Sequence, residues 1–249
     1  MNENLPIELF TDDVFLVSYP KSGRTWLRFL IGNYLRNNEL DFPDSYQDLV
    51  TDIDANPLQA IQVQRPRFIT SHRSFTPTFN RVVYVVRDGR DVAVSYYFHL
   101  MKFQALSKET QFEYFLLNIF DTALYGNMSW SNHVSGWLDK ASPNFLLVKY
   151  EDLQENTVAA LTRILEFAGL SVDKKTADAS VEASNFSKLK KYEKSLEKIN
   201  YKDINDTDLS IKFFRSGKTG EYKNFFNERL MEDFLEVHGS VLKRLGYLT

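Results

Sequence analysis

Apolar residues along this chain gather in short, nearly uninterrupted runs, separated by longer stretches in which they recur every three or four positions. The short runs are Val14 to Tyr19, Phe68 to Ser71, Val82 to Val86 and Phe145 to Lys149. A strand with one wet face would alternate, so runs apolar at nearly every position read as parallel strands covered on both faces. Leu27 to Leu35, the stretch around Ser95, Trp130 to Trp137 and the last part of the chain carry the helical spacing instead. Strands alternating with helices predict an α/β fold, a central parallel β-sheet flanked by helices. No linker or repeat interrupts the sequence, so residues 1–249 are expected to form a single domain. Two softer stretches, Asp41 to Pro57 and Glu193 to Ser210, are rich in polar residues and read as loops or short helices over a site.

In such folds ligands sit beyond the carboxyl ends of the strands. The first run is followed there by Ser18-Tyr19-Pro20-Lys21-Ser22-Gly23-Arg24-Thr25-Trp26, which then opens the Leu27 helix. A strand, a tight loop and a helix start aim free N–H groups and the positive end of the helix dipole into the loop, and Lys21 adds a full charge. The expected ligand is a phosphate. The loop is P-loop-like without being the usual nucleotide-hydrolase loop, because Lys21 precedes Gly23 by two residues and no Gly-Lys pair follows. Gly217-Lys218-Thr219 fails the same pattern, since the required first glycine would fall at Lys212.

Composition narrows the picture. With 43% hydrophobic and 14% aromatic residues the chain can bury one large core, and a net charge of −3 gives no general attraction to nucleic acid. No apolar run reaches the ~18 residues a membrane span needs, and the first residues lack the basic and apolar parts of a signal peptide. A cytoplasmic protein without membrane association is expected, and zero cysteines exclude disulfides.

Three segments carry a family resemblance. Pro20-Lys21-Ser22-Gly23-Arg24-Thr25-Trp26 after a strand resembles the 5′-phosphosulfate loop of soluble, cytosolic-type sulfotransferases, which use 3′-phosphoadenosine 5′-phosphosulfate (PAPS). The segment from Arg81 to Tyr97, with Arg87 at a strand end and Ser95 on the following helix, is similar to that family's 3′-phosphate segment. Phe214 to Asn224 is similar to its C-terminal Arg-Lys-Gly-x-x-Gly-Asp-Trp-Lys loop, and Trp130 to Trp137 and Phe145 to Leu153 read like its middle helix and strand. The matches run in order over roughly residues 14–225.

The resemblance implies a sulfotransferase with PAPS as donor, 3′-phosphoadenosine 5′-phosphate (PAP) as product, a small-molecule acceptor and no metal. It implies a phosphosulfate-binding loop of Lys21, Ser22, Gly23, Arg24, Thr25 and Trp26, and a 3′-phosphate site of Arg87 and Ser95 closed by Arg215, Ser216 and Gly217. Trp26 and Tyr150, with Ser184 and Phe186, are expected near adenine. His72, in Phe68-Ile-Thr-Ser-His72, matches the family's strand ending in Lys-Thr-His and is expected to be the general base. An imidazole whose ordinary pKa is ~6.5 suits that task at neutral pH. Lys21 is expected to stabilise the leaving phosphate.

Residue by residue, the bland readings are packing for Trp26, a solvated ion pair for Arg87, and surface or packing roles for His133 and His238, while Tyr96 and Tyr97 are expected to be helix core or substrate-facing. His99, past Ser95, is expected within reach of the acceptor. The chain departs from the family pattern at Thr70, where many cytosolic members have Lys, at Arg24 in place of Thr, at Ser216 in place of Lys, and at Glu221-Tyr222 in place of Asp-Trp. Arg24 is a candidate to replace the charge missing at Thr70. The Lys-x-x-x-Thr-Val-x-x-x-Glu segment through which many cytosolic relatives dimerise is missing after Lys223, which predicts a monomer or a dimer through another surface. Two other readings are a nucleotide-dependent phosphotransferase or kinase, and a sulfotransferase-like protein that binds PAP without turnover.

Overall fold

The computed structural model describes residues 7–36, 49–63, 65–122, 128–140, 142–198 and 207–248. They belong to two compact units, Met1–Val86 with Lys140–Lys188, and Arg87–Asp139 with Leu189–Thr249.

The first unit is built on a five-stranded parallel sheet of β1 (Val14–Ser18), β2 (Val50–Asp52), β3 (Phe68–Ser71), β4 (Val82–Val86) and β5 (Phe145–Lys149), in the order β2-β3-β1-β4-β5. The four strands read from the sequence are present. β1, β3 and β4 are buried at every position, because interior strands of a parallel sheet are covered on both faces. β5 lies at one edge and alternates between buried and half-buried residues. β2 is the other edge and corrects the reading of Asp41 to Pro57 as loop or short helix. Its pairs Val50 to Phe68, Thr51 to Ile69 and Asp52 to Thr70 extend the sheet, and a 3-10 turn, Pro57–Gln62, follows it. Residues 41–48 of that stretch lie outside the described residues.

α1 (Arg24–Arg36), α5 (Tyr150–Glu155), α6 (Thr157–Phe167) and α7 (Lys174–Ala183) complete this unit. Leu27, Leu30 and Ile31 of α1 recur at helical spacing and meet Leu16, Val83 and Val85 of the sheet with Leu161, Ile164 and Leu165 of α6 in one core. That core holds the C-terminal ends of β1 and β3 side by side, since Val17 pairs with Ser71.

The second unit contains α2 (Gly89–Lys102), α3 (Phe112–Asn118), α4 (Trp130–Leu138) and α9 (Glu228–Arg244), while α8 (Phe186–Lys198) begins among the residues of the first unit. Asp88 caps α2 by accepting from the Arg90 N–H. Aromatic rings fill the interior. Tyr96 and Tyr97 pack against Phe115, with Tyr97 also against Phe112, so both are core residues of this unit. His238 and His133 are buried, and His238 shares a 2.7 Å hydrogen bond with the Ser131 hydroxyl. Packing, not surface exposure, is therefore their role. At the Glu193 end of the second soft stretch the chain is helix and not loop, and Glu193 is buried, its carboxylate accepting from the Phe213 and Phe214 N–H groups beside the buried Lys102 ammonium. Residues 199–206 lie outside the described residues.

Candidate active site

The turn from β1 into α1 spends its left-handed conformations at Lys21 (φ 69°) and Gly23 (φ 97°). Lys21 is not a glycine, so its backbone is strained, as residues holding ligands often are. Gly23 has a second reason to be glycine. A Cβ there would lie 2.5 Å from Cδ2 of Tyr150, so the ring of Tyr150 rests against bare backbone.

The first intrahelical bond of α1 runs from the Leu27 N–H to the Gly23 carbonyl. The N–H groups of Arg24, Thr25 and Trp26 precede it and have no acceptor within the helix. No acidic side chain occupies the first turn to neutralise them. Beside them the Ser22 side chain is wholly buried, and its hydroxyl has no hydrogen-bond partner among the described residues. A buried unpaired hydroxyl costs about 1–3 kcal/mol, which an anion in the loop would offset. The donor set of this loop fits a phosphate or sulfate group.

Arg24 reaches toward the neighbouring strand end. Its Nη2 pairs with Asp52 at 3.0 Å, at the end of β2 opposite Thr70, while Nη1 is buried without an acceptor among the described residues. Thr70 turns its own hydroxyl to the Thr51 carbonyl. The guanidinium is thus tethered at the level of the strand end where the family pattern puts a lysine.

His72 follows β3 directly and is 8% exposed. Its Nδ1 lies 2.7 Å from the Ser18 carbonyl oxygen. A carbonyl only accepts, so Nδ1 carries a proton, and in the neutral ring the lone pair is then on Nε2, the form a general base needs. The backbone N–H of His72 donates to Asp54, which also accepts from the Ser71 hydroxyl and from Nε of Arg73. Asp54 therefore fixes the turn that aims the imidazole. Sequence reading passed over Asp54 because a carboxylate in a polar stretch gives no periodic signal.

The expected adenine residues of this unit are neighbours. Trp26 meets Tyr150 edge to face with centroids 5.9 Å apart, and its Nε1 donates to the Ser184 carbonyl. The Ser184 hydroxyl accepts from Asn33, and Phe186 opens α8 two residues on. Trp26 thus packs against Tyr150 and is fixed in place by the Ser184 carbonyl.

In the second unit, Arg87 donates from Nη2 to the Lys218 carbonyl at 2.9 Å, which places the C-terminal loop on it. Asp91 lies one turn beyond Arg87, and Ser95 one turn beyond Asp91 on the same side of α2. Burial pushes the Asp91 carboxyl above its ordinary value, against Arg87 and the N–H groups of Tyr222 and Gly220, which favour the charged form. Gly217 takes the left-handed φ of 65° beside Ser216. Arg215 is held in a fork by the Glu221 carboxylate and lies over the Phe98 ring, 4.2 Å to its centroid. His99 sits among rings, 4.5 Å from that of Phe103 and 6.1 Å from that of Phe213.

Comparison with known proteins adds to this geometry. The profile of a family described as "Sulfotransferase domain" matches residues 11–246. The chain is 29% identical to Sulfotransferase 1E1 of Bos taurus, over 93% of this chain and 85% of that one. It is 30% identical to Sulfotransferase 2A2 of Mus musculus, over 91% and 82%. Among solved structures, retinol dehydratase in complex with androsterone and inactive cofactor PAP aligns with a TM-score of 0.74 at 23% identity, over 96% of this chain and 83% of that one, a likeness of fold. A mouse sulfotransferase complexed with PAP aligns with a TM-score of 0.70 at 25% identity, over 95% and 85%.

Proposed function

The chain belongs to the sulfotransferase family, and from that premise we propose that it transfers the sulfuryl group of PAPS to a hydroxyl or amine of a small-molecule acceptor. The observation that supports the donor most directly is the buried Ser22 hydroxyl, without a partner among the described residues, beside Lys21 and three N–H groups that have no acceptor within α1. In this reading the loop from Lys21 to Trp26 holds the 5′-phosphosulfate, and Arg87, Ser95, Arg215, Ser216 and Gly217 serve the 3′-phosphate. Trp26, Tyr150, Ser184 and Phe186 serve the base.

The reaction is an in-line displacement at sulfur. His72 takes the acceptor's proton at Nε2 as the acceptor atom bonds to sulfur. The bond from sulfur to the bridging oxygen breaks, and its electron pair leaves on the phosphate of PAP. Lys21 and the N–H groups of Arg24, Thr25 and Trp26 face the charge that develops there, where fixed donors act most strongly. Arg24, tethered by Asp52, adds a cation on the same loop. The acceptor remains defined by class, a small molecule with a nucleophilic oxygen or nitrogen.

For surroundings, among the described residues no helix is long and apolar enough to cross a membrane. We propose a cytoplasmic protein, monomeric or dimeric through a surface other than the stretch after Lys223.

PAP is expected to bind with micromolar or tighter affinity in calorimetry, unchanged by a chelator, and to raise the melting temperature more than ATP with Mg²⁺ does. A chain that melts unchanged with PAP, or responds only to the nucleotide with metal, would overturn the donor assignment. Lys21→Ala is expected to weaken PAP binding and to lower turnover by ~10², the range for losing one donor to a developing oxyanion. Turnover within threefold of the parent enzyme would remove Lys21 from the transfer step.

A further inference from the structure

Asp91 belongs to neither the loop nor the base, yet its carboxyl is 1% exposed in the second unit. Buried carboxylates are costly unless their oxygens are fully engaged. Its two oxygens are engaged by the same short segment: Oδ2 accepts from the Gly220 N–H at 2.7 Å and Oδ1 from the Tyr222 N–H at 2.9 Å. The chain is shaped for this grip. Gly220 takes a left-handed φ of 73°, and Glu221–Asn224 turns as a short 3-10 helix directly after it. On its other side Asp91 lies 3.9 Å from Nη2 of Arg87, the same nitrogen that donates to the Lys218 carbonyl. One carboxylate therefore ties Arg87 and the helix that carries Ser95 to the loop that carries Arg215, Ser216 and Gly217.

We infer that Asp91 is a positioning residue for the 3′-phosphate, holding the loop's backbone and the Arg87 guanidinium in the one arrangement that a phosphate can enter. The inference rests on the reading of Arg87 and Ser95 as 3′-phosphate ligands. Without the carboxylate, Gly220 and Tyr222 lose a charged acceptor, Arg87 loses its nearby counter-charge, and the Lys218 carbonyl loses its place. A residue that only supported the fold would affect every ligand alike. A residue that positions the 3′-phosphate groups affects only ligands bearing that phosphate.

The test compares PAP with adenosine 5′-phosphosulfate, which lacks the 3′-phosphate, by calorimetry on the full chain. The parent protein is expected to prefer PAP. Asp91→Asn keeps the size but offers an NH₂ to one of two N–H donors, and is expected to weaken PAP at least tenfold, as loss of a hydrogen bond to a charged group implies. Adenosine 5′-phosphosulfate is expected to change by less than threefold. Equal losses for both ligands, or an unchanged preference, would overturn the inference. A parent protein with no preference for PAP would instead overturn the assignment of Arg87 and Ser95 beneath it. Should Asp91→Asn not fold, Asp91→Glu carries the same comparison, because it keeps the buried charge opposite Arg87 and displaces its oxygens by one methylene.

Discussion

Replacing His72 with alanine is expected to lower turnover by ~10² or more while leaving PAP affinity within a few-fold, because the imidazole serves the acceptor's proton and not the donor's phosphates. The geometry behind this is specific. Donation from Nδ1 to the Ser18 carbonyl leaves Nε2 as the basic nitrogen, and Asp54 pins the backbone beneath it. The rate should rise with pH through the titration of one group in the parent enzyme, and His72→Ala should abolish that rise. His99→Ala is the control. Its ring lies among Phe103, Phe213 and Tyr96, so it is expected to change turnover little and to leave the pH profile in place. Near-normal turnover in His72→Ala, with the pH dependence moved by His99→Ala instead, would transfer the role to His99. Normal turnover in both variants would point to an acceptor amine already deprotonated.

What could be read from the chain and what could not divide along physical lines. β1, β3, β4 and β5 announce themselves because they are long enough and apolar enough for burial to leave a pattern. β2 has three residues, two of them polar, and its pairing with β3 supplies what its composition does not. The anion loop was legible because its chemistry is local: a strand end, a left-handed glycine, a lysine and a helix start lie within a few residues. His72 was legible only through resemblance, since a histidine after a strand says little by itself. The carboxylates Asp52, Asp54 and Asp91 were not legible. Asp52 and Asp54 act on side chains distant in sequence, and of the Asp91 contacts spacing reports only the one to Arg87, not the grip on Gly220 and Tyr222. The same holds for Glu193, which a polar stretch disguised as a surface residue although it closes a buried pair with Lys102.

Gly23→Ala is expected to be among the most damaging single-methyl changes available, lowering PAP affinity by ~10² or more. Two costs fall on one atom. The φ of 97° is a conformation that L side chains rarely adopt, and the new methyl would sit 2.5 Å and 2.8 Å from two carbons of the Tyr150 ring. The ring has little room to yield, because Tyr150 is buried, meets Trp26 edge to face and receives a hydrogen bond from Gln154 on its hydroxyl. Either the ring moves and disturbs Trp26, or the loop moves and carries Ser22 and the N–H groups of Arg24 to Trp26 with it. Gly220→Ala separates the two costs. Its φ of 73° imposes strain of about 1–2 kcal/mol, but among the described residues nothing lies within 4 Å of the added methyl. It should therefore lower the melting temperature modestly and leave the 5′-phosphosulfate loop intact. If the clash with Tyr150 is the larger cost in Gly23→Ala, adding Tyr150→Leu should restore part of the lost stability, a non-additive recovery that a double-mutant cycle reads directly. Strict additivity in that cycle, or PAP affinity in Gly23→Ala equal to that of the parent protein, would overturn the account of this loop as a glycine-dependent anion site.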